Sequence, residues 1–114
     1  MKRLTYKKYN GSNDVLLIEL PNKYTVIAIS RWNIEEQKYK TDLFLKYKDV
    51  DSWKLIEDNT LEFDASYKTI CSAVLKKVSE LYAENFFDYY IDRYEYELKC
   101  ADKGNELFES EGAA

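Results

Sequence analysis

Residues 66–103 contain neither glycine nor proline. They read SYKTICSAVLKKVSELYAENFFDYYIDRYEYELKCADK, too long for a strand and free of the two residues that interrupt helices. In the first part, Tyr67, Cys71, Val74, Val78 and Leu81 recur at steps of three and four, and Ile70, Leu75 and Tyr82 widen the stripe. Lys68, Thr69, Ser72, Lys76, Ser79 and Glu80 fall on the other side. This spacing predicts an amphipathic helix over 67–83 with one buried face, its first free N–H groups capped by Asp64 or Ser66.

The second part, residues 86–103, has two stripes. Phe87, Ile91, Tyr94, Leu98 and Ala101 form one, with Tyr90 on its edge. Tyr89, Arg93, Tyr96 and Cys100 form another, roughly opposite. Asp88, Asp92 and Glu95 lie between them, with Lys99 one turn after Glu95. The stripe of the first helix does not continue in phase through Glu84 and Asn85, so a break is expected near 84–86 and two helices result. Gly104 is the expected C-terminal stop, and the acidic tail 105–114 is expected to fray.

Upstream, the pattern changes to strands and turns. Leu4 and Tyr6 alternate with Arg3, Thr5 and Lys7; Asn10-Gly11-Ser12-Asn13 turns the chain; and 15–20 is a short apolar run. Pro21-Asn22 turns again, and 24–32 is rich in β-branched residues. After a polar connection over 33–37, residues 39–47 alternate cleanly, with Tyr39, Thr41, Leu43, Leu45 and Tyr47 on one face. Residues 53–57 are readable as a helical turn or a strand, and 60–63 as a fifth strand. The predicted fold is α+β: an N-terminal antiparallel meander of four strands, or five, packed on one face by two C-terminal α-helices. At 114 residues and 46% hydrophobic, the chain suits one domain, expected over 1–104.

Charge is divided along the chain. Residues 1–48 hold ten Lys or Arg against five Asp or Glu, whereas 49–114 hold seven against sixteen. The two cysteines, Cys71 and Cys100, have no metal-site or redox spacing, and Cys71 lies on the first helix's apolar stripe, where a buried thiol is expected. The start, MKRLTYKKYN, lacks the apolar run of a leader, and no segment is long and apolar enough to span a bilayer. The expected location is the cytoplasm of a bacterial cell, with no membrane partner.

The missing residue types restrict the chemistry. The chain has no His, which removes the commonest general base and zinc ligand. Its three glycines, Gly11, Gly104 and Gly112, belong to no phosphate-binding or dinucleotide loop. No enzymatic activity and no cofactor are expected. Glu84, Asp88, Asp92 and Glu95 form an acidic ridge, but ligands on a straight ridge converge poorly on one ion, and no metal site is expected. Lys2, Arg3, Lys7 and Lys8, with Tyr6 and Tyr9 among them, form a basic–aromatic cluster that single-stranded nucleic acid can use. The net charge of −4 counts against direct nucleic-acid binding, and lysines on an edge strand also act against sheet-to-sheet pairing.

A helix on a sheet needs only one apolar stripe. The second stripe, Tyr89, Arg93 and Tyr96 beside Asp88, Asp92 and Glu95, is therefore the candidate partner-binding surface. Tyr and Arg dominate binding hot spots, and the carboxylates suit a basic partner. The competing occupants of this stripe are the first helix, the strand from Trp53, and a second copy of the chain.

The stretch FFDYYIDRYEYELKCADKGNELFE, together with DSWKLIE and the segment from Asp64 to Leu75, resembles short accessory proteins of phages and integrative elements. The resemblance covers roughly residues 39–110. Small size, acidity and the lack of a cofactor motif also resemble phage-encoded inhibitors of host defence, anti-CRISPR proteins among them. That resemblance implies a non-enzymatic protein that binds a host protein with a basic surface, such as a CRISPR nuclease complex, often where DNA would sit. Two other functions stand beside it: a small nucleic-acid-associated accessory protein using the basic first strand, and a self-assembling phage structural component.

Overall fold

Alternation and turn chemistry decide the first half of the molecule. The computed structural model describes residues 4–57 and 59–112, with side chains as far as Cys100. Six antiparallel strands follow one another: β1 (Thr5–Lys8), β2 (Val15–Glu19), β3 (Tyr24–Asn33), β4 (Lys38–Tyr47), β5 (Lys54–Leu55) and β6 (Leu61–Phe63). The sheet order is β1-β2-β3-β4-β5, with β6 also paired to β4. Residues 53–57 thus resolve as a strand rather than a helical turn, and a sixth strand joins the predicted five. Strand β4 is ten residues long. It takes Leu55 opposite Phe44 and Phe63 opposite Tyr39, so two short strands share one edge.

Each turn has a residue suited to it. Asn10 and Gly11 both have positive φ, and Ser12 N–H donates to the Tyr9 carbonyl at 3.0 Å. Left-handed geometry at both central positions is what Asn-Gly tolerates best. Between β2 and β3 the left-handed residue is Lys23, and between β3 and β4 it is Gln37. In that last turn the Asn33 side-chain oxygen accepts from Glu36 N–H, three residues on, at 2.9 Å.

One face of the sheet is the core face. It carries Leu16, Ile18, Val26, Ala28, Leu43 and Leu45, all buried and opposite one another across β2, β3 and β4. Ser30 and Thr41 belong to the same face, and their hydroxyls pair at 2.7 Å in a buried environment. The mutual bond offsets the cost of burying two polar groups.

Helix α1 (Ile70–Ala83) lies against this face. Its Ile70, Val74 and Val78 are fully buried, as the stripe predicts. Its start is tied to the β1–β2 connection, where Asn13 Nδ2 donates to the Tyr67 carbonyl and the Cys71 thiol to the Asn13 carbonyl. Three expectations for this helix are corrected. It begins at Ile70, so Tyr67 precedes it and is exposed instead of buried. Neither Asp64 nor Ser66 caps it through a side chain. The Ser66 carbonyl accepts from Ile70 N–H, while Thr69 Oγ1 turns back to accept from Ser66 N–H. Ser79, placed on the polar side, is buried, because a helix on a sheet is covered over a wider arc than its apolar stripe marks.

The expected break is present. Asn85 has φ of 61°, and α2 (Phe86–Gly112) starts immediately after it. Asn tolerates this left-handed geometry better than other residues with a side chain. Helix α2 does not stop at Gly104; it runs through to Gly112. A glycine inside a helix costs only about 1 kcal/mol relative to Ala. The chain divides into two compact units, Met1–Glu84 and Asn85–Ala114, so α2 is described by itself.

Candidate partner-binding surface

Helical periodicity separates the side chains of α2 into two classes. Phe87, Ile91 and Tyr94 are buried, and Leu98, expected to join them, is only half-buried. Leu98 lies a full turn beyond Tyr94. On the opposite side, Tyr89 is 65% exposed and Tyr96 68% exposed. Arg93 sits between them, with its Nε 3.6 Å from Glu97 Oε1 one turn on. Asp88, Asp92 and Glu95 are all exposed on the strip beside the tyrosines. Tyr89, Arg93, Tyr96 and the three carboxylates therefore share one accessible surface of α2.

Two contacts hold the tyrosines. The Tyr89 ring meets Tyr90 edge-on, with centroids 5.3 Å apart. Cys100, one turn on, raises the pKa of Tyr96 above the ordinary tyrosine value, chiefly through side-chain hydrogen bonding and then through its charge, and slight burial acts in the same direction. Both rings thus offer a large apolar area with few rotatable bonds, and ordering them on a partner costs little entropy.

The basic cluster of the first strand is arranged differently. Lys2 and Arg3 lie outside the described residues. Lys7 and Lys8 are exposed neighbours on β1, opposite Leu17 and Leu16. Successive strand residues point to opposite faces, so these two lysines do not form one patch. Tyr6 shares the face of Lys8. Among the described residues, no group of three or more His, Cys, Asp or Glu is placed to hold a metal ion. Also among them, no helix is long and apolar enough to cross a membrane.

Two exposed apolar side chains were not singled out from the sequence. Trp32, at the end of β3, is half-exposed and meets Tyr39 edge-on at 5.0 Å; Ile34, in the following turn, is 80% exposed. Large side chains in strands read as core from sequence, and only the end of the sheet leaves these uncovered. Ile34 alone had a usable signal, as an isolated apolar residue in a polar turn.

No protein-family model, curated protein or solved structure matches the chain.

Proposed function

We propose that this chain is a non-enzymatic mobile-element protein that binds and inhibits a host defence protein, a CRISPR-type nuclease in the most specific form. It acts through the Tyr89–Arg93–Tyr96 surface of α2. The observation that carries this reading is the pair of exposed tyrosines, 65% and 68% accessible, flanked by Asp88, Asp92 and Glu95. Aromatic rings supply the contact area, and the carboxylates stand where phosphates would meet a basic nucleic-acid channel. The resemblance of this stretch to short accessory proteins of phages and integrative elements supports the same reading.

The test is a DNA-cleavage assay with purified CRISPR nuclease–guide complexes, Cas9-type among them, into which the protein is titrated. The native protein is expected to slow cleavage. The double variant Tyr89→Ala, Tyr96→Ala should retain its melting temperature, since both rings are exposed, and lose inhibition by roughly a hundredfold or more, as two hot-spot side chains of about 2 kcal/mol each imply. A double variant that melts many degrees lower would place the stripe in the structural core, and absence of inhibition across the nuclease types would remove the function.

A further inference from the structure

A second binding site follows from the free edge of the sheet, independent of the surface on α2. Ser30 N–H bonds the Asp14 carbonyl, and Leu20 N–H bonds the Tyr24 carbonyl. Even-numbered residues of β2 therefore direct their backbone groups to β3, and odd-numbered ones direct theirs to β1. In the β1–β2 register, Thr5 faces Glu19 and Lys7 faces Leu17. Thr5 and Lys7 thus carry the ladder to β2. Leu4, Tyr6 and Lys8 turn their N–H and C=O groups outward, and β1 is the last strand on that side. Among the described residues no strand pairs with this edge.

The side chains of Leu4 and Tyr6 face α1. Between β1 and α1 lies an open groove of about 880 Å³, lined by Leu4, Tyr6, Leu75, Lys76, Ser79 and Glu80 among others. Its volume is within the range of roughly 300–1,000 Å³ usual for ligand sites. A free strand edge beside an apolar groove recognises one chemistry best: an extended peptide, whose backbone continues the ladder while alternate side chains enter the groove. Charge selects among peptides. Side chains that alternate with those in the groove lie on the other face of the sheet, beside Lys7, which is exposed and has no ion-pair partner among the described residues. A second copy of β1 would instead bring two further lysines and no carboxylate to this edge, an unfavourable gathering of like charge.

We infer that the β1 edge and the β1–α1 groove bind an extended peptide segment of alternating apolar and acidic residues, added as a further strand. The probe is a fluorescein-labelled hexapeptide of alternating valine and glutamate, followed by fluorescence polarisation. Saturable binding at micromolar concentration is expected, with weaker binding of the valine–lysine peptide. Compared with Tyr6→Ala, which removes the ring alone, Tyr6→Pro also removes an outward N–H without touching the ladder to β2, so it should fold and bind about fivefold to tenfold more weakly; the difference is the loss of one hydrogen bond. If that variant fails to fold, the native protein with a peptide N-methylated at alternate amides gives the same comparison. Lys7→Glu should reverse the preference between the two peptides. The inference is overturned by the absence of saturation, or by equal affinity for both peptides. It is equally overturned by binding indifferent to Tyr6→Pro and N-methylation, by an oligo-dT strand binding where the peptide does not, or by sedimentation showing the edge occupied by a second copy.

Discussion

At the scale of single residues, buried polar groups give the sharpest expectations. Thr41→Val leaves the Ser30 hydroxyl buried without its partner at 2.7 Å. It should cost about 1–3 kcal/mol in urea unfolding, and the double variant Ser30→Ala, Thr41→Val should recover part of that loss. Tyr39 gives a pH dependence. Burial raises its pKa above the usual value of 10.0, helped by Asp14 and then by Tyr67. A folded-state pKa above the unfolded one means the unfolded chain releases this proton first. The contribution to stability is complete below the unfolded pKa, near 10, and is lost as pH rises through the folded value. Melting temperature should therefore fall more steeply above about pH 10 in the native protein than in Tyr39→Phe.

At the scale of elements, α1 is the test of the core. Val78 is fully buried on the helix stripe that meets the sheet. Val78→Asp would place a carboxylate without a partner in that layer. It should destabilise by more than about 3 kcal/mol, lowering the melting temperature by more than about 10 °C. An unchanged melting temperature would mean that the helix does not bury this face. Helix α1 was legible because its period is local, repeating in phase from Cys71 to Leu81. Its first turn was not, since Tyr67 and Lys68 fit the same period and only the backbone turn held by Ser66 and Thr69 excludes them.

At the scale of the whole molecule, the charge division becomes a matter of rate. The acidic residues fall mostly in 49–114, α2 included, while the net charge is −4. If α2 meets a basic partner, raising salt from about 50 mM to 500 mM shortens the screening length severalfold and should slow association strongly. The melting temperature should move little over the same range, since the core is apolar and the ion pairs are exposed or partly so. Stopped-flow association with an inhibited nuclease, set beside a thermal melt in the same buffers, checks both. Association insensitive to salt would remove the electrostatic role assigned to Asp88, Asp92 and Glu95.

The sequence by itself determined the elements. Alternation set β1 and β4, an apolar run set β2, β-branched content set β3, a sustained 3.6-residue period set α1 and the two stripes of α2, and a phase slip at Glu84 and Asn85 set the break between them. These signals are local, because a backbone period is printed on every few residues. The tertiary structure decided what the elements do to one another. It placed β5 and β6 side by side on the edge of β4, buried Ser79 beneath the arc where α1 meets the sheet, and left Trp32 and Ile34 uncovered at the end of a hairpin. It also directed the backbone of Leu4, Tyr6 and Lys8 outward. That outward phase depends on which carbonyl of β2 reaches β3, a pairing between residues far apart in the chain that no local pattern records.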